Sequence, residues 1–195
     1  MTNEEEILNS YYFHSVRLDI RKIEEILKRG AILSRDKLGY ELREPIGFNG
    51  KTRISLCKYM DPNTYCNLHD GMRSAYYVLI KHGISFVLDG AIDTKKTSFV
   101  QKATLTKEEY NKIIDDAMDV RFSDCLDEYQ SIDKIDTSHF LALSYPITEQ
   151  LNFNPTRVKN DLIYLRNLLE EYNLDIPILD VTTNEFEKKL IKLRK

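Results

Sequence analysis

Tyr11-Tyr12-Phe13-His14-Ser15, read together with the residues up to Arg35, is the stretch that decides the fold of this chain. Three aromatics run into a polar pair, and Ile20, Ile23 and Leu27 then recur at helical spacing as far as Lys28-Arg29-Gly30. Ala31-Ile32-Leu33 follows and ends in a second polar pair, Ser34-Arg35. A strand that carries His14 to its end, then a helix, then a return bearing Ser34 and Arg35, builds a polar-lined pocket wall. Over residues 18–29 the apolar Ile20, Ile23, Ile26 and Leu27 take one side, and Arg21, Glu24, Glu25 and Lys28 the other. That pattern predicts an amphipathic helix. Basic residues in its last turn, with Gly30 just past it, are a normal C-terminal stop.

The chain has 195 residues, the size of a single domain and long enough to bury a core. Residues 1–150 read as an α+β body and 151–195 as a helical extension packed on it. With 42% hydrophobic and 30% charged residues and a net charge of −3, charge argues neither for nor against a nucleic-acid partner. No apolar run approaches the ~20 residues that span a bilayer, so no membrane association is expected. The acidic start, Met1-Thr2-Asn3-Glu4-Glu5-Glu6, lacks the basic and apolar regions of a signal peptide. Cys57, Cys66 and Cys125 are an odd set at irregular spacing, which fits reduced thiols in a cytoplasm.

Further along, residues 36–51 and 58–72 are rich in turn formers and read as long loops, which in compact domains often carry function. Arg53–Cys57 reads as a short strand. Ala75–Ile80 and Ile84–Leu88 read most simply as a hairpin around Lys81-His82-Gly83, with a short helix as the alternative for the first run. Residues 90–105 read as irregular. Thr106 and Glu109 have capping-box spacing ahead of a periodic run to Met118, which predicts a helix. Asp124–Ile132 predicts a strand carrying Glu128, and Phe140–Tyr145 a strand buried on both faces and closed by Pro146. Asn154-Pro155 opens a helix through Tyr172 with Val158, Leu162, Leu165, Leu168 and Leu169 inward. Thr182 and Glu185 suggest a second capping box, for a last helix at 183–194.

Four segments in this order resemble the ADP-ribosyltransferase fold, and most of all its His-type branch. They are YFHS at 12–15, ILKRGAILSR at 26–35, RISLC at 53–57, and DEYQ at 127–130 leading into the strand at 140–145. The match covers roughly the first three-quarters of the chain. The resemblance implies two small antiparallel sheets around a cleft, with peripheral helices at 18–29 and 106–118. It implies that His14 holds NAD, that Ser55 lies on a second strand, and that Glu128 on a late strand is catalytic. The sequence departs from the pattern at Leu56-Cys57 after Ser55. It departs again at Leu126, two residues before Glu128, where transferases acting on protein side chains often carry Glu or Gln; the nearest amide is Gln130. The acceptor is therefore left open.

Cleaving the nicotinamide–ribose bond develops positive charge on the sugar, and a carboxylate held near it stabilises that charge. Glu128 fits this role, with a solvated strand-face glutamate as the plainer alternative. His14 can donate to a ribose hydroxyl or simply be an edge histidine satisfied by a neighbour. Ser15, Ser34 and Ser55 can bond the ribose or amide, although serines at strand ends also form turns. Arg35 and Arg53 match a pyrophosphate bidentately, and Tyr76 and Tyr77 offer ring faces or core packing. Cys66-x-x-His69 lacks the four ligands of a structural zinc site, and nothing local activates a thiol nucleophile. No Gly-rich phosphate loop is present. Two function classes remain. One is an NAD-consuming enzyme, either a mono-ADP-ribosyltransferase acting on a protein or nucleic-acid acceptor or an NAD glycohydrolase. The other is a non-catalytic binding protein on the same fold.

Overall fold

Residues 2–34, 37–39, 53–58, 80–92, 94–98, 127–132 and 134–193 are described by the computed structural model. The predicted helix at 106–118, the Arg35 and Tyr76 positions, Cys66, His69 and nearly all of the two loops at 36–51 and 58–72 lie outside them. Local chemistry sets the N-terminal elements. Thr2 and Glu5 exchange capping hydrogen bonds at 3.2 and 2.7 Å and start α1 (Asn3–Asn9). β1 (Tyr12–Ser15) follows. Asp19 caps α2 (Ile20–Arg29) by accepting from the Arg21 amide at 3.2 Å, and Gly30 ends that helix in the left-handed conformation at φ 69°. The helix thus starts two residues later than the periodicity of 18–29 suggests, because Asp19 is the better cap.

β2 (Ala31–Leu33), β3 (Arg53–Lys58) and β4 (Ser85–Leu88) come next, then β5 (Thr94–Ser98) and β6 (Asp127–Ile132). β7 (Lys134–Asp136) and a 3-10 turn lead into β8 (Phe140–Tyr145). α3 (Ile147–Phe153) and α4 (Pro155–Glu171) precede β9 (Ile178–Asp180) and α5 (Glu185–Lys192).

The protein is α+β. Seven strands pair in the order β5-β6-β3-β1-β4-β8-β9, and β2 pairs separately with β7. Neighbours are antiparallel except β8 and β9, so the large sheet is mixed where antiparallel sheets alone were expected. A parallel pair needs a long crossover, and α3 and α4 supply it. Alternation along the strands splits the core in two. Tyr12, Leu56, Phe86, Leu88, Leu143 and Tyr145 face α2, α4 and the small sheet. Phe13, Cys57, Val87 and Ala142 face Leu8 of α1 and Phe186 and Leu190 of α5. Tyr11 adds a buried 2.8 Å hydrogen bond to the Leu190 carbonyl. A large apolar side chain so buried stabilises by ~1.5–3 kcal/mol.

Three local readings change. β4 is paired along its length by β1 on one edge and β8 on the other, which leaves no edge for a hairpin partner from the chain before Gly83; Ile80 and Lys81 are helical. Thr94–Ser98, read as irregular, is a strand because β6 supplies its hydrogen bonds; its Thr-Lys-Lys-Thr-Ser sequence suits a sheet edge and carries no apolar alternation. Thr182 does not cap α5. Its hydroxyl goes to Asp180 at 2.6 Å, and Asn184 precedes the helix without a side-chain capping bond.

Candidate functional site

β1, β3 and β6 carry His14, Ser55 and Glu128, and they are consecutive neighbours in the sheet. β3 divides its pairing between the other two. Arg53 to Leu56 pair with β6, with Ser55 opposite Gln130. Cys57 and Lys58 pair with β1, opposite Phe13 and Tyr12. β1 therefore parts from β3 after Phe13, while His14 and Ser15 stay paired to Phe86 and Ser85 of β4. Likewise Asp127 and Glu128 lie beyond the last β3–β6 pair and bond only β5, Glu128 opposite Thr97. β1 thus leaves β3 beside Ser55 and Leu56, whereas β6 leaves it beside Cys57 and Lys58, on the other edge and the other half of β3. The opening beside His14 is the one between β1 and β3. Two strand spacings separate positions 14 and 128, about 10 Å of backbone.

The faces divide these residues. Counting along the registers, positions 55, 128 and 130 fall on the face that also holds Phe13 and Ser15, and position 14 falls on the other. Ser34 is buried at the end of β2, whose Ile32 joins the core on the Tyr12 face. The sheet thus brings together the strands of His14, Ser55 and Glu128 without placing all the candidates on one face.

Around the opening, His14 and Ser15 are half-buried. The Ser15 hydroxyl accepts from the Arg17 amide at 3.2 Å and donates to the Ile84 carbonyl at 3.5 Å. The Tyr12 hydroxyl accepts from Thr94 at 2.6 Å, so the sheet curls until its β5 edge reaches β1. The Lys58 ammonium sits 5.1 Å from the Tyr12 ring centre. Neither contact has a local sequence signature, because both join residues distant in the chain. Arg17, just past β1, has a positive φ of 58°.

Other polar groups lie elsewhere. A cavity of about 490 Å³ is lined by Lys81, His82, Val181, Thr182, Thr183, Asn184 and Glu187, none of them a nominated site residue. Burial lowers the Lys81 pKa, and Glu187 acts in the opposite sense. His82 bonds Glu149 across to α3. His139 Nδ1 lies 3.2 Å from both carboxylate oxygens of Asp89. Cys57, the described member of the three cysteines, is a buried thiol directed at the Phe13 carbonyl, 3.7 Å away. Among the described residues no group of three or more His, Cys, Asp or Glu is arranged to hold a metal, and no helix is long and apolar enough to cross a membrane. No protein-family model matches the chain, and no curated protein matches it.

Proposed function

We propose that the chain is an NAD-consuming enzyme of the ADP-ribosyltransferase type, which transfers ADP-ribose to a macromolecular acceptor and releases nicotinamide. One observation carries the reading: the strands bearing His14, Ser55 and Glu128 are adjacent in space, with β1 parting from β3 just before His14. Ser15, on β1 next to His14, adds a polar group beside that opening. In this reading the nicotinamide ribose sits beside β3, between His14 of β1 and Glu128 of β6. Glu128 stabilises the positive charge that develops as the glycosidic bond breaks, and His14 holds a ribose hydroxyl.

The test is nicotinamide release from NAD by the purified protein, followed by chromatography. Glu128→Gln keeps shape but removes charge, and is expected to cost ~10²–10³ in rate while NAD affinity changes far less. His14→Ala should weaken NAD binding as well as turnover. A Glu128→Gln variant that melts like the wild type and turns over at the wild-type rate removes Glu128 from the mechanism. The opposite-face count of positions 14 and 128 favours a second reading, a non-catalytic binding protein on the same fold; a wild type that binds NAD without consuming it selects that one.

A further inference from the structure

We propose that Arg17 is the anion-gripping residue of the opening, its guanidinium holding phosphate oxygens of the dinucleotide. The proposal rests on the NAD reading above and names a residue that the sequence pattern passes over. Its first support is conformational. Arg17 adopts φ 58° and Asn173 φ 53°, the two positive values among described residues other than glycine. Asparagine tolerates the left-handed region through its short polar side chain, whereas an arginine there is sterically disfavoured. Backbone held in such a region persists only where the surroundings fix it, and it clusters at ligand-binding positions.

What fixes this turn is plain. The Val16 amide donates to the Ile84 carbonyl at 2.9 Å, and the Ile84 amide donates to the Arg17 carbonyl at 2.5 Å. The Arg17 amide donates to the Ser15 hydroxyl at 3.2 Å. Glycine would satisfy every one of these bonds without strain. The turn therefore explains the backbone and leaves the arginine side chain without a structural reason.

The second support is electrostatic. Arg21, Arg29 and Arg157 lie beside the carboxylates of Asp19, Glu25 and Asp161 at 3.4, 3.2 and 3.4 Å. Arg17 is exposed and, like the exposed Arg166 of α4, pairs with no carboxylate among the described residues; of these two, Arg17 is the one beside β1. Asp19, the acidic group nearest in sequence, is taken up with the Arg21 amide and guanidinium. The Arg157 guanidinium, paired with Asp161, also reaches the carbonyl of Leu18, next to Arg17, at 3.4 Å and helps fix this turn. A guanidinium on a fixed turn, three residues past His14 at the rim of the opening, presents a planar fork to a diphosphate.

Titration calorimetry of full-length wild type, Arg17→Gly and Arg17→Lys with NAD, ADP-ribose and inorganic pyrophosphate tests this. Arg17→Gly should melt at or above the wild-type temperature, because glycine accepts the turn, yet bind NAD and ADP-ribose roughly tenfold or more weakly. Arg17→Lys should keep part of the affinity but not the bidentate contact. If Arg17→Gly does not fold, Arg17→Asn serves, since it suits the same backbone. Unchanged NAD affinity in the folded variant overturns the Arg17 proposal and leaves the NAD reading standing. A wild type that ignores NAD but binds pyrophosphate, with loss in Arg17→Gly, keeps the anion grip and ends the NAD reading. A wild type that binds none of the three overturns both.

Discussion

Asp180, the last residue of β9, is the acceptor that α3 lacks, and replacing it should loosen the whole C-terminal side of the sheet. Pro146 precedes α3 and contributes no side-chain cap. One Asp180 oxygen instead accepts from the Thr148 amide at 2.9 Å and the Thr148 hydroxyl at 2.6 Å. The other accepts from the Thr182 amide at 3.0 Å and the Thr182 hydroxyl at 2.6 Å. A lost cap costs ~1 kcal/mol, and a bond to a charged acceptor ~1.5–3 kcal/mol. The Thr148 pair is exposed and the Thr182 pair part-buried, so the low end applies. Asp180→Asn should cost ~1–2 kcal/mol and Asp180→Ala ~2–3 kcal/mol. For a chain of this length that places the Asp180→Ala melt about 4–12 °C below wild type.

The same carboxylate gives the prediction a pH signature. Burial pushes the Asp180 carboxyl up, but the hydrogen bonds from Thr148 and Thr182 outweigh it and hold the group below its ordinary 3.8. A carboxyl whose folded pKa is depressed contributes stability above its unfolded pKa and loses it as pH falls through the folded value. Thermal melts by circular dichroism should therefore show a constant gap between wild type and Asp180→Asn from about pH 7 to pH 5, narrowing below the ordinary value of 3.8. An Asp180→Asn variant melting within about 1 °C of wild type at pH 7 refutes the capping argument. A gap that ignores acid refutes the carboxylate's part in it.

Ser85 carries a fully buried hydroxyl with no hydrogen-bond partner among the described residues, so Ser85→Ala should be neutral or stabilising by up to ~1 kcal/mol in urea unfolding; a clear loss of stability would reveal a partner. Tyr145, buried at the end of β8, donates to Asp161 at 2.9 Å. Tyr145→Phe should cost ~1–2 kcal/mol by the same assay. Burial and the Asp161 carboxylate also hold the Tyr145 phenol well above its usual range, so in an alkaline absorbance titration the wild type should show one more late-ionising tyrosine than the phenylalanine variant; an unchanged late phase would show that another tyrosine titrates there.

Where a segment's neighbours are local, its structure was legible from the chain. α2 followed from the spacing of Ile20, Ile23 and Leu27 and from Gly30. α4 followed from Asn154-Pro155 and an apolar stripe that indeed turns Val158, Leu165, Leu168 and Leu169 inward. β8 announced itself as an unbroken apolar run and is covered on both faces. Capping was less transparent. The Thr2–Glu5 box, which the sequence reading did not single out, formed, whereas the Thr182–Glu185 spacing lost its threonine to Asp180, a competitor that spacing does not reveal.

The sequence by itself marked the elements whose spacing is strong, α2, α4 and β8, and the residues worth asking about, because both depend on spacing along the chain. Tertiary structure alone decided which strands are neighbours, since pairing joins residues that no local pattern links: β5 is a strand only because β6 pairs with it, and β9 runs parallel to β8 only because α3 and α4 carry the chain across. It also decided the faces. Alternation puts His14 and Ser15 on opposite faces, but only the register with β3 and β6 decides that Ser15, not His14, shares the side of positions 55 and 128.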